Sequence, residues 1–160
     1  MAATPTAPDE VRATLHAYCR CIDAFDIDAL LDEVYTPDAI DDRHRGAPLS
    51  GHQDVLRGHE DIREYFVRAF ESVEGLAHLL TNVDVRVEDE RAITSSRVLA
   101  FHWLRSTSDQ GPTRPADFVM MGTYDDQLSL TPDGWRISRR DVSMLGVSGF
   151  ALGTFPGALA

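Results

Sequence analysis

The sequence predicts an α+β domain in which helices come first and a long antiparallel sheet follows. Three observations lead there. Apolar residues recur at helical spacing in the first half, then at a period of two from Leu76 onward. Turn sequences, EDER at 88–91 and TPDG at 131–134, separate the strand-like runs. The chain has 160 residues, 43% hydrophobic and 26% charged, which fits one domain able to bury a core and an internal cavity. Helices followed by hairpin-linked strands make an α+β order, and a strongly twisted sheet that folds around a helix leaves a pocket between them.

The elements follow in order. Residues 1–8 (MAATPTAP) read as a disordered tail. Asp9 and Glu10 suit the positive end of a first helix, on which Val11, Leu15, Tyr18, Cys19 and Ile22 share one stripe. Asp26 reads as the N-cap of a short second helix, Asp28 to Tyr35, and Thr36-Pro37-Asp38 ends it. Residues 39–58 read as a polar loop with a short strand at its start. A third helix runs from Glu60 to Val73, with Ile62, Tyr65, Phe66, Ala69 and Phe70 on one face. Val83, Val85 and Val87 alternate with polar residues in the first long strand. Further strands are expected over Ala92–Arg105, Asp117–Leu130 and Trp135–Leu145, with a polar loop, STSDQGPTRP, before the second of these. Residues 9–146 thus form a single domain. The Gly-rich segment 147–160 is apolar enough to act as a lid or a subunit contact.

Charge narrows the partners. The formal net charge is −11, with 26 acidic against 15 basic residues, all of the latter Arg. Such a surface disfavours nucleic acid and anionic membranes. There is no run of 18 apolar residues and no basic, apolar leader at the N-terminus, so a cytoplasmic location is expected. Cys19 and Cys21 lie two apart on a helix, where they cannot bridge each other, and there is no third Cys for a zinc cluster. His44, His52 and His59 match no tight metal-binding spacing and read as solvated.

Four segments, in this order, carry a family resemblance: YCRCIDAFDIDALLDEVYTPDAI, GHEDIREYF, AHLLTNVDVRVEDERAITSSRV and GTYDDQLSLTPDGWRISRRDV. Together they resemble the SnoaL-like branch of the nuclear-transport-factor-2-like superfamily, over roughly residues 9–146. The resemblance implies a cone: a curved, mostly antiparallel sheet wrapped around the long first helix, two further helices, and an internal pocket. It also implies self-association as a homodimer or homotrimer. The family hosts dehydratases, isomerases, cyclases, a dehydrochlorinase and non-catalytic proteins, so the fold does not name the reaction.

Matching positions supply candidate catalytic residues. Asp23 and His78 resemble the helix Asp and strand His shared by scytalone dehydratase, bile-acid dehydratase and the lindane dehydrochlorinase. His102 resembles a second His of scytalone dehydratase. Tyr18 resembles a Tyr of the bile-acid enzyme and an oxyanion-binding Tyr of the ketosteroid isomerases. Arg140 resembles an Arg on the last strand of the dehydrochlorinase. The chain departs from the isomerases where their base Asp falls near Arg43 and their second acid falls in FVMMG.

A carboxylate bonded to one imidazole nitrogen fixes the tautomer and makes the other nitrogen a better base. The resemblance therefore implies His78 as base, Asp23 as its orienter, Tyr18 as oxyanion donor, His102 as acid and Arg140 as a supporting charge. Each residue also has a structural reading: a solvated Asp23, a turn-capping His78, a satisfied core His102, a core aromatic Tyr18. Strand parity from Trp135 and Ile137 turns Arg139 inward in place of Arg140 unless a bulge shifts the register. The expected activity is a lyase or isomerase that needs neither metal nor cofactor, best a dehydration of a small apolar carbonyl compound such as a polyketide or steroid-like intermediate. A polyketide cyclase is one alternative, and a ligand-binding or assembly module is another.

Overall fold

The structure is a computed structural model that describes residues 5–45, 55–111 and 113–148, without the side chains of 44, 45, 147 and 148. The start of the expected tail, His52, the side chain of His44 and the expected lid from residue 149 onward lie outside the described residues.

The first helix, α1, spans Ala7–Asp23 and begins two residues earlier than the sequence suggests. The cause is Thr6, whose backbone N–H and hydroxyl both donate to the Asp9 carboxylate, at 3.2 and 2.6 Å. Pro8 is tolerated because a first-turn N–H has no helical acceptor anyway. Val11, Leu15, Tyr18 and Ile22 are buried along one face. Each such side chain contributes about 1.5–3 kcal/mol on burial. Phe25 closes the helix at a positive φ, and Asp26 caps the next turn by accepting from Ala29 N at 2.9 Å. That turn, α2 (Ile27–Ala29), runs into a π-helical turn at Leu30–Val34.

Here the structure departs from the sequence reading. Thr36-Pro37-Asp38 does not open a loop: the chain passes directly into β1, Tyr35–Arg45. Pro37 has no N–H for a ladder, and the pairing of β1 is interrupted between Tyr35 and Ile40. Strand β2 (Val55–Arg57) pairs back on β1, and α3 covers Gly58–Glu71. Strands β3 (Val73–Glu88), β4 (Arg91–Leu104), β5 (Phe118–Thr131) and β6 (Gly134–Ser148) complete the sheet. A 3₁₀ turn, Arg105–Gln110, opens the loop before β5. The buried Arg114 ties this loop down through Asp117 and Glu74 at 2.8 and 2.7 Å.

The six strands run in the order β2-β1-β6-β5-β4-β3, antiparallel except for β1 against β6. Helix α1 crosses the inner face diagonally. Thr14 donates to the Trp135 carbonyl of β6 at 3.0 Å, and Asp23, at the other end of the helix, reaches β3. α3 closes the open side, with Phe70 packed edge-on against Phe25. Inward side chains of β4 alternate strictly: Ala92, Thr94, Ser96, Val98, Ala100 and His102 are all buried. No helix among the described residues is long and apolar enough to cross a membrane.

A polar row crosses the inner face beneath α1. Thr94, Asp126, Arg140 and Asp41 are register neighbours on β4, β5, β6 and β1, and all are buried. Arg140 faces inward because Ile137 pairs with Leu128 while Arg139 pairs with Gln127, leaving Ser138 as an extra residue. That bulge reverses the parity set by Trp135 and Ile137. Arg139 instead lies half-buried among Asp42 and Asp141.

Candidate active site

A cavity of about 210 Å³ opens between α1, α3 and the inner face of the sheet. Tyr18, Arg43, Phe66, His78, His102 and Met120 are among its lining residues. Phe118, Met120 and Met121 form part of the wall and leave the space unfilled, while Trp103 lies off the wall and donates to the Arg114 carbonyl at 3.1 Å.

The last residue of α1 meets the first third of β3. The Asp23 carboxylate accepts twice from His78: from its backbone N–H at 3.0 Å and from Nδ1 at 2.6 Å. A carboxylate can only accept, so Nδ1 carries the proton and Nε2 holds the lone pair. The two-point contact fixes both the ring and its tautomer. The His78 side chain is 6% exposed and lines the cavity; Asp23 stands behind it, 30% exposed and off the wall.

His102 is a diagonal cross-strand neighbour, since Leu76 pairs with His102 and His78 with Ala100. The two imidazole centroids are 6.3 Å apart. His102 stacks on Phe118 at 4.2 Å, and its Nδ1 donates to the Ala100 carbonyl at 3.0 Å. Burial, reinforced by the nearby His78, pushes the His102 pKa down to about 4. At neutral pH it is therefore uncharged, with a lone pair on Nε2. In that state its one N–H is committed to a carbonyl, and the ring offers an acceptor in place of the acid expected from the resemblance.

Tyr18 lies buried beside the cavity. Its hydroxyl accepts from Arg43 Nη2 at 3.3 Å, which leaves the hydroxyl proton to be donated elsewhere. Arg140 does not reach the cavity wall, correcting its role as a supporting charge there. It is fully buried, grips Asp126 with two bonds of 2.7 and 2.8 Å, and is sandwiched between the rings of Tyr18 and Tyr124 at 3.8 and 4.2 Å. The bulge brings it inward, and the paired carboxylate holds it beneath the floor.

The cation on the wall is instead Arg43. Its Nη2 also donates to Asp41 at 2.8 Å, and its guanidinium lies over the rings of Tyr65 and Phe66 at 4.7 and 5.1 Å. The buried Asp41 takes a further bond from the Tyr35 hydroxyl at 2.7 Å. The nearby Asp41 carboxylate holds Arg43 charged across the whole working pH range. Sequence reasoning missed Arg43 because residues 39–58 read as loop. The signal was period two: Ala39, Asp41 and Arg43 alternate inward along β1. His59, read as solvated, is half-buried on α3, with a ring nitrogen 3.4 Å from the Tyr35 carbonyl. Among the described residues no group of side chains is arranged to hold a metal ion.

A curved, mostly antiparallel sheet around a long helix, with polar groups on the wall of a largely apolar cavity, defines the nuclear-transport-factor-2-like class. Residues 5–141 match the SnoaL-like domain, and the chain belongs to that family. A protein of Mycobacterium tuberculosis, Rv2910c, is 33% identical over 132 residues, covering 82% of this chain and 80% of the relative. Three solved structures share the fold. A Novosphingobium aromaticivorans protein provisionally designated an aromatic ring hydroxylase has a TM-score of 0.73 at 26% identity, covering 91% of this chain and 96% of that one. A second protein from that organism, provisionally designated a scytalone dehydratase, has a TM-score of 0.71 at 16% identity, covering 91% and 88%. The hexachlorocyclohexane dehydrochlorinase LinA type 2 has a TM-score of 0.71 at 14% identity, covering 94% and 93%.

Proposed function

We propose that this protein is a cofactor-independent lyase that dehydrates a compact carbonyl compound by abstracting a carbon-bound proton. The observation that carries the reading is the His78–Asp23 contact: one imidazole nitrogen is committed to a carboxylate at 2.6 Å, and the ring stands on the wall of an apolar cavity. His78 Nε2 takes the proton activated by the carbonyl, a step worth roughly 10²–10⁴-fold. Asp23 stabilises the imidazolium that forms. Tyr18 donates to the developing enolate oxygen, and Arg43, bonded to the same hydroxyl, strengthens that donation.

His102 is a neutral acceptor in this scheme, and its Nε2 orients the substrate hydroxyl. The proton for the leaving group comes from His78 itself. The imidazolium returns it to the hydroxyl on the same face, the C–O bond breaks, the C=C bond forms and water departs. One imidazole serving as base and then acid makes the elimination syn. The dehydrochlorinase and the dehydratase-designated protein that share this fold are consistent with an elimination. A volume of about 210 Å³ is small beside the ~300–1,000 Å³ of drug-sized ligand pockets, which favours a one- or two-ring compound over a steroid.

The test is deuterium exchange. Small β-hydroxy ketones are incubated in D₂O with wild-type protein, Asp23→Asn and His78→Gln, and proton loss and alkene formation are followed by NMR. Both variants should lose at least about 10²-fold in exchange while retaining the fold. Exchange that is absent in wild type, or undiminished in both variants, sinks the reading and leaves the cavity as a binding site. Exchange accompanied by ring closure and no loss of water would favour a cyclase.

A further inference from the structure

The cavity wall is electrostatically unlike the rest of the molecule. The chain carries 26 acidic against 15 basic residues, yet no Asp or Glu lines this cavity among the described residues. Its ionisable lining comprises Arg43, Arg68, His78, His102 and three tyrosines, Tyr18, Tyr65 and Tyr124. A protein of net charge −11 repels anions at long range, so an anion has to be met by local donors; Arg68 is paired with Glu64 on α3, which leaves Arg43.

The Arg43 side chain is only 17% exposed, and it is immobilised on several sides by Asp41, the Tyr18 hydroxyl and the rings of Tyr65 and Phe66. Among the described residues both of its hydrogen bonds leave from Nη2. Among the described residues Nε is buried with no acceptor, and Nη1 has none either. A guanidinium has five donor hydrogens, and a buried one with unmet donors is incomplete without an acceptor from elsewhere. Asp41 only partly supplies it: this carboxylate is fully buried, shared with Tyr35 and not among the cavity-lining residues, whereas Arg43 lines the cavity.

We propose that the ligand of this cavity is a compact oxo carboxylic acid, its carboxylate held by Arg43, its carbonyl oxygen by Tyr18, and its apolar body against Phe66, Phe70, Leu76 and Met120. Two points select a carboxylate over other anions. The planar guanidinium fork matches a planar carboxylate. A single guanidinium that is already paired with Asp41 suits a monoanion and not a phosphate dianion. The Tyr18 hydroxyl and Arg43 Nη2 are 3.3 Å apart, so the two acceptors lie a few bonds from each other in the ligand. Tyr18 and Asp23 are separated by about 7.5 Å along the helix axis. The carbon skeleton therefore extends from the acid end toward His78. The inference rests on the proposed function only in taking this cavity as the substrate site; it does not require turnover.

Calorimetric titration tests it with a matched pair of probes, 2-oxo-4-phenylbutanoate and the neutral 4-phenyl-2-butanone, which lacks the carboxylate. Wild-type protein should bind the acid roughly tenfold or more tighter than the ketone. Arg43→Met should bring the two affinities together. Because that variant leaves Asp41 unpaired in the core, Asp41→Asn/Arg43→Met is measured beside it and should give the same loss of preference. His78→Gln should keep the preference for the acid while losing α-proton exchange of the bound probe in D₂O. A ketone that binds as well as the acid, an acid that does not bind, or a preference retained in both Arg43 variants overturns the proposal. Acid-selective binding without exchange in wild type would leave this inference standing and sink the elimination; exchange without acid selectivity would do the reverse.

Discussion

Replacing Arg140 by Met isolates what the buried charge row contributes. Arg140 is fully buried, and its Nε and Nη2 both donate to one carboxylate, Asp126, which is also fully buried. Methionine keeps the apolar stem but removes the cation and its stacking on Tyr18 and Tyr124. Asp126 is then an unpaired carboxylate in the core. Breaking a buried pair from one side costs about 3–5 kcal/mol, most of it the price of the stranded charge. For a chain of this size each kcal/mol moves Tm by roughly 2–4 °C, so a fall of roughly 10 °C is expected. Urea denaturation should show a lower midpoint with an unchanged m-value. The double variant Arg140→Met/Asp126→Leu removes both charges and should recover most of the loss, because a buried pair and a well-packed apolar pair of similar volume differ little. A single variant that loses less than about 1 kcal/mol would refute the reasoning, as would a double variant no more stable than the single.

Three further outcomes are expected. Burial lowers the His102 pKa to about 4, against about 6.5 in an unfolded chain, so the unfolded state binds the extra proton first as pH falls. Stability should decline between about pH 6.5 and 4, by up to about 3 kcal/mol from this group. His102→Gln should flatten that slope in urea titrations across the window, and an unchanged slope would contradict the burial argument. The Cys19 thiol is buried and pushed up to about 11, so iodoacetamide at pH 8 should label it in urea but not in the native protein, as read by peptide mass spectrometry; prompt native labelling would show that the α1 core opens. At Gly122 on the cavity wall, beside a second β5–β6 register shift between Met121 and Gly122, a Cβ would lie 2.6 Å from the Ser143 carbonyl oxygen, so Gly122→Ala should cost about 1–3 kcal/mol by thermal melting, and a neutral substitution would mean that this shift yields easily.

Much of the architecture was legible because local patterns and global packing agree. The helix stripe of Val11, Leu15, Tyr18 and Ile22 is the buried face of α1, and Asp26 caps the turn after it. The core-histidine reading of His102 agrees with its burial beside Val98 and Ala100 on the inward face of β4. Element boundaries were less legible. Thr6 replaced Asp9 as the effective start of α1, and Pro37 entered an interrupted strand where a loop was expected.

The sequence by itself determined the helices-then-strands order, the acidic surface, the inward faces of α1 and β4 and, through family resemblance, the residues to watch at the ends of α1 and β3. These are properties of local periodicity and composition, which survive being read one residue at a time. Tertiary structure alone decided which groups share the cavity. One extra residue, Ser138, turned Arg140 inward, and the aromatic rings of Tyr18 and Tyr124 then sealed it from the space it was expected to reach. Strand β1, unrecognised as a strand beyond its first residues, brought Arg43 there instead. Burial against Phe118 made His102 neutral. A bulge, a sheet neighbour and a desolvated ring all arise from contacts between residues far apart in the chain, and no periodicity within a single segment records them.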